Sequence, residues 1–236
     1  MSTVVVLGAG LGSRLRPLTD DRPKCAVTLA GEPLAARIVR QLGARGVKRA
    51  VVVVGHMADR ARELLSAAVP GVEFVENRDY ATTNTMYSAL LAIDALADGG
   101  FLVEGDIAAS DSAVDRLVAG RGWAADPWTP AHSGCRLRTD GNRIVGQEIW
   151  RAETTGDTRN LWKSAGMLSL GPDDVAVLSR CLREEAAAGR TNIYYDDVVG
   201  RHMSEFRLDV LDLSGAPWVE IDDLADMEIA RREFER

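Results

Sequence analysis

The stretch TVVVLGAGLGSRLRPLTDDRPK, Thr3 to Lys24, decides how the chain is to be read. Its opening, TVVVL, is continuously apolar and β-branched, the pattern of a strand buried on both faces of a parallel sheet. Directly after it, Gly8, Gly10 and Gly12 free the backbone to turn its N–H groups toward an anion, while Arg14, Arg16, Arg22 and Lys24 gather positive charge on the same loop. A phosphate-bearing ligand suits such a loop. The generic glycine motifs do not fit it. Ser13 stands where a dinucleotide fingerprint has its last glycine, Arg-Pro-Leu-Thr follows where a helix should run, and the Gly-Lys-Ser/Thr of a Walker loop is missing.

Outward from that loop, strands and helices alternate. PLAARIVRQLGARG (33–46) places Leu34, Ile38 and Leu42 at helical spacing and stops at Gly46; RAVVVVG (49–55) reads as a second buried strand. A helix is expected over 58–68 and a strand over 72–77. Met86, Leu90, Ile93 and Leu96 then form a helical stripe behind Thr83 or Asn84 as cap, and GFLVEGD (100–106) is a fourth strand ending on an acid. This rhythm predicts an α/β fold, a Rossmann-like and mostly parallel sheet flanked by helices, with ligands at the carboxyl ends of the strands. After Asp106 the pattern changes: a hairpin over 134–150 turning at Asp-Gly, a strand over 161–170, a helix over 173–188, a strand over 207–212 and a closing helix from about 223.

The 236 residues carry a net charge of -7 and a pI near 5.1, which argues against non-specific grip on nucleic acid or anionic membranes. No apolar run reaches membrane-spanning length, and no basic segment precedes the first apolar run. Cys25, Cys135 and Cys181 show no metal-ligand spacing and read as reduced thiols, so a cytoplasmic location is expected. His56, His132 and His202 form no catalytic cluster in the sequence. Oligomeric state is left open, a homodimer included.

The whole string LGAGLGSRLRPLT…RPK resembles the signature of the nucleotidyltransferases that join NTPs to sugar phosphates and related small phosphates. Within that superfamily, YATTNTMYSALLA (80–92) and YYDDVV (194–199) are most similar to the phosphocholine cytidylyltransferase branch, which includes enzymes acting on small phosphonates. The resemblance covers nearly the full chain, most specifically over 7–34 and least over 107–160. It implies one nucleotidyltransferase domain over 1–236, with a nucleotide-binding half (1–106) and an acceptor-binding half (107–236) carrying a small β-rich lid.

By position, the resemblance assigns Leu7, Gly8, Ala9, Gly10, Gly12 and Ser13 to the nucleotide, with Asn84, Tyr87 and Ser88 at its base or ribose. It gives Arg14 the departing β- and γ-phosphates, and Lys24 the α-phosphate and incoming acceptor. Mg²⁺ and the nucleotide phosphates fall to Asp106 and the metal also to Asp222, with Asp223 available to cap the last helix instead; where relatives carry Asp-x-Asp, this chain has Glu104. The physics agrees, since nucleotidyl transfer builds negative charge that fixed cations stabilise. An acceptor already ionised near neutral pH needs no general base.

For the acceptor, Tyr194, Tyr195 and Asp196 partly match a wall around a choline ammonium, whereas Arg136, Arg138 and Lys163 suit a compact anionic phosphonate. Arg136 and Arg138 read equally well as solvated positions on one hairpin face. The implied reaction moves CMP from CTP to a phosphonoformate- or aminoalkylphosphonate-like acceptor, or to phosphocholine, releasing pyrophosphate. The alternatives are a sugar-1-phosphate nucleotidyltransferase using UTP or dTTP and a non-catalytic nucleotide-binding module on the same fold, with an NAD-dependent oxidoreductase further off.

Overall fold

Alternate side chains of the first strand, β1 (Thr3–Leu7), are buried on opposite faces of one sheet: Val4 and Val6 join one apolar cluster, Val5 and Leu7 another. The computed structural model describes residues 3–151 and 157–235. After β1 come a short hairpin of β2 (Thr28–Leu29) and β3 (Glu32–Pro33), then α1 (Leu34–Gly43), β4 (Arg49–Val54), α2 (Ala58–Ala68) and β5 (Glu73–Glu76). The chain continues through α3 (Thr85–Ala92), β6 (Gly100–Glu104), β7 (Ile107–Ala109), α4 (Asp111–Ala119) and β8 (Gly122–Pro127). The remainder is β9 (Gly134–Asp140), β10 (Arg143–Trp150), β11 (Leu161–Leu170), α5 (Pro172–Ala187), α6 (Tyr195–Arg201), β12 (Asp209–Asp212), β13 (Trp218–Glu220) and α7 (Leu224–Phe234).

Among the described residues the main sheet has nine strands in the order β5-β4-β1-β6-β11-β8-β12-β10-β9. The first four are parallel, as the alternating strands and helices predict. The second half differs: β11 runs antiparallel to both β6 and β8, so the sheet is mixed rather than mostly parallel. Parallel neighbours need a crossover, usually helical. Among the described residues no helix separates β9, β10 and β11, and β11 enters the sheet reversed. Helix α4, strand β8 and the antiparallel β7–β13 ladder are additional to the elements expected, although Ser110 as cap and Ala113, Val114 and Leu117 at helical spacing signal α4.

Helices α1, α2 and α4 cover one face of the sheet and α3, α5 and α6 the other. A third, smaller cluster matters more for the site. Leu15 of the glycine-arginine loop packs with Val27, Leu29, Leu34, Ala108, Ile221, Met227 and Ala230, all buried. These apolar contacts tie the N-terminal loop to β7, β13 and α7, segments about two hundred residues apart along the chain in the extreme case of Leu15 and Ala230. No helix among the described residues is long and apolar enough to cross a membrane.

Candidate active site

The parallel strands β1, β4 and β6 end at one crevice, where the backbone is drawn unusually close. The Gly8 N–H donates to the Val53 carbonyl and the Gly105 N–H to the Leu7 carbonyl, each within 2.9 Å. A cleft of about 340 Å³ opens there, lined by Leu7 through Arg14, Lys24, Asn77, Tyr80, Thr83, Asn84, Ser88, Glu104, Asp106 and Asp222. Gly12 sits at φ 61°, a left-handed conformation, and a Cβ on it would lie 2.8 Å from the Lys24 Cβ. Gly12→Ala should therefore cost ~1–2 kcal/mol in backbone strain and displace Lys24. Calorimetry should show a lower Tm, and steady-state kinetics a higher nucleotide KM; a variant unchanged in both would remove Gly12 from the site.

Lys24 is the centre of the charge. Its Nζ donates to Asp106 Oδ2 at 2.5 Å and to Asp222 Oδ1 at 2.7 Å, and Arg14 Nη2 reaches the same Asp222 oxygen at 3.0 Å. Burial disfavours the Lys24 ammonium, but the two carboxylates outweigh that and hold its pKa above the usual lysine value. Burial likewise opposes ionisation of Asp222, yet Lys24 and Arg14 keep its carboxyl below the usual range. The two aspartates meet because the Ile221 N–H donates to the Asp106 carbonyl at 3.0 Å, at the end of the β7–β13 ladder. Asp223 accepts from Ala225 N and Asp226 N as the cap of α7, which leaves Asp222 facing the cleft.

The far wall is held from α3. Asn84 caps that helix, its side chain accepting from Thr85 N at 2.8 Å, and it also lines the cleft. Asn77, almost fully buried, donates to Thr83 Oγ1 and Ser88 Oγ and so fixes the polar floor. Asn77 and Tyr80 were missed from the sequence, although a residue just beyond a parallel strand belongs to the expected ligand edge. Tyr87 is not at the cleft; its ring packs against the apolar core.

An adjoining cavity of about 540 Å³ shares Arg14, Glu104, Asp106, Tyr194 and Asp222 with the first and adds Lys163, Asp196, Glu220 and Arg151. Lys163 is paired to Glu220 at 2.8 Å. Burial and neighbouring carboxylates raise the Glu104 pKa well above normal, and burial pushes Asp196 up to about 7. Burial also raises Glu220, although Lys163 opposes the shift. Asp196 Oδ1 is buried with no hydrogen-bond partner among the described residues.

Three residues expected at the acceptor are elsewhere. Arg136 lies with its guanidinium carbon 3.6 Å from the Trp150 ring centre and 5.3 Å from that of Trp128, and pairs with Glu148. Sandwiched and neutralised, it presents no charge to the cavity. Arg138 is two residues farther along β9, over Gly146, and lines a separate surface hollow with Asp157. Tyr195 is wholly buried and stacks on Trp123, a core residue behind the wall.

Residues 4–202 match the family model of the MobA-like NTP transferase domain. The chain belongs to that family. It is 31% identical to the CMP-5'-(3-aminopropyl)phosphonate synthase of Streptomyces rubellomurinus, an alignment covering 98% of this chain but only 38% of that protein. It is 26% identical to the 2-aminoethylphosphonate cytidylyltransferase of Lancefieldella rimae, over 96% of this chain and 90% of the other. In fold it is similar to the CTP:phosphocholine cytidylyltransferase of Streptococcus pneumoniae, with a TM-score of 0.80 at 21% identity over 99% of both chains. NTP transferases of this family generally use a divalent metal. The residues present fit one: Asp106 Oδ1 is buried without a hydrogen-bond partner among the described residues, and Asp222, held on the same Lys24 ammonium, supplies a second hard oxygen beside it.

Proposed function

We propose that this NTP transferase moves CMP from CTP to a small aminoalkyl phosphonate and releases pyrophosphate, with Mg²⁺ bound by Asp106 and Asp222. The observation that carries the choice of acceptor is the acidic cavity beside the nucleotide cleft. Glu104, Asp106, Asp196, Glu220 and Asp222 line it against Arg14, Arg151 and Lys163, five carboxyls to three cations, while Arg136 and Arg138 are withdrawn. An ammonium group inserted there meets the Asp196 carboxyl, whose Oδ1 has no hydrogen-bond partner among the described residues. The names of the two phosphonate relatives support the same reading.

The chain's own residues divide the chemistry as follows. Glycine-loop N–H groups cradle the triphosphate, and Asn84 and the Asn77–Ser88 floor face the base. A phosphonate oxygen attacks the α-phosphorus, forming one P–O bond as the α–β bridge breaks and pyrophosphate departs with its electron pair. Lys24, protonated throughout, lies between the two anions that must approach. Arg14, exposed at the mouth, neutralises the leaving group. When bound, Mg²⁺ supplies further charge neutralisation and orients the phosphate oxygens.

A phosphocholine acceptor is the second reading, favoured by Tyr194 at the cavity wall. Among the described residues Tyr194 is the one aromatic side chain lining that cavity, and a quaternary ammonium prefers several faces. Pyrophosphate release measured with CTP, Mg²⁺ and separate acceptors distinguishes them. Aminoalkyl phosphonates should exceed phosphocholine, phosphonoformate and hexose 1-phosphates in kcat/KM. Turnover confined to hexose 1-phosphates with UTP or dTTP would overturn the proposal.

A further inference from the structure

Helix α5 and the end of α6 carry chemistry that the nucleotide cleft does not use. Cys181 lies on the buried face of α5, 0% exposed, against the core that α6 also covers. His202 caps the C-terminus of α6, and the following turn, Met203–Glu205, brings Glu205 back over it: the Glu205 N–H donates to the His202 carbonyl at 2.8 Å. His202 Nδ1 and Glu205 Oε1 are 2.9 Å apart. A ligating atom from each of Cys181, His202 and Glu205 falls within 4.8 Å of the other two, the one such grouping of three among the described residues.

We infer that Cys181, His202 and Glu205 form a zinc-class divalent metal site, outside the cleft, that joins α5 to the end of α6. Thiolate, imidazole and carboxylate are the donors zinc takes. Tetrahedral bonds of roughly 2.0–2.3 Å separate ligand atoms by about 3.3–3.8 Å, so the trio needs only small side-chain adjustment. Arg180 Nη2 holds Glu205 Oε2 at 2.5 Å, orienting the carboxylate so that Oε1 faces the histidine. The His202 side chain is 25% exposed and that of Glu205 44%, which gives an ion a path from solvent and leaves a fourth position for water. Binding releases the thiol proton to solvent, and any proton on the imidazole nitrogen that takes the metal passes to the other ring nitrogen or to solvent. None of the three lines the nucleotide or acceptor cavity. The consequence for the fold is a staple on the helix that begins at Tyr195 and Asp196.

Titration of the folded protein with Co²⁺, followed by absorption, tests this. One equivalent should give thiolate-to-cobalt charge transfer with tetrahedral d–d bands, displaced by Zn²⁺. Cys181→Ser should remove the charge-transfer band, and Glu205→Gln, at an exposed position that folding tolerates, should weaken Co²⁺ binding roughly a hundredfold. Weak octahedral absorption alone, or a thiolate band unchanged in both variants, would overturn the assignment. So would loss of the band only on replacing Cys25 or Cys135.

Discussion

Replacing Lys24 with Met is expected to lower CMP transfer roughly a thousandfold, through kcat rather than through KM for CTP. The ammonium touches both aspartates before any substrate arrives, so its position is fixed in advance, and under the proposed reaction it stands where two anions must be brought together. Removing it leaves Asp106 and Asp222 facing each other without a cation between them. Both are partly open to solvent, with side chains 18% and 33% exposed, and Arg14 still pairs with Asp222, so the variant should fold at reduced Tm. Lys24→Arg should not restore activity. The Lys24 stem already packs against Gly12, and a broad guanidinium cannot occupy the space of a compact ammonium between two carboxylates. Rapid-quench kinetics with circular dichroism checks both statements; undiminished turnover in a folded Lys24→Met protein would remove the lysine from the chemistry.

The second large effect concerns Asp196. Asp196→Asn should lower kcat/KM for an aminoalkyl phosphonate by roughly a hundredfold, since a buried charge partner of the ammonium is lost, while KM for CTP stays unchanged. A carboxylated acceptor such as phosphonoformate should lose nothing. Stability should respond to pH as well. Burial pushes the folded Asp196 carboxyl up to about 7, whereas an unfolded aspartate titrates near ~4. The group's contribution to stability is therefore complete below about 4 and is lost as pH rises through about 7. Glu104 and Glu220, also raised by burial, act in the same direction. Scanning calorimetry of the ligand-free protein should show Tm falling by several degrees between about pH 5 and pH 8, less steeply in Asp196→Asn. A wild-type Tm that rises across that range would contradict the assignment of a buried, pH-sensitive acid at the acceptor.

The crevice at the ends of the parallel strands could be read from the chain because it is built from local, ordered signals: an apolar strand, glycines at its end, cations immediately after. The parallel strands through β6 follow for the same reason, as does the cap role left to Asp223. The adjoining cavity could not be read in this way. Arg136, Arg138 and Lys163 alternate along neighbouring strands, and only the packing of Trp128 and Trp150 shows which charges are presented and which are sequestered. Tyr194 and Tyr195 are adjacent letters with opposite fates, one at a cavity wall and one stacked in the core. Glu220 ends β13, a three-residue strand that the sequence pattern does not announce, so its place beside Lys163 shows only in the fold. The reversal of β11 depends on which connection lacks a helix, a property of the whole second half.

The crevice where Lys24 joins Asp106 to Asp222 is, on the proposed reading, the site of nucleotidyl transfer to a phosphonate. Phosphorus NMR of the protein with CTP, Mg²⁺ and 2-aminoethylphosphonate tests that most directly. The prediction is equal growth of inorganic pyrophosphate and of a coupled pair of resonances from a new phosphonate–phosphate anhydride, both lost in Lys24→Met. Intact CTP and free phosphonate after prolonged incubation, or pyrophosphate formed without the anhydride, would contradict it.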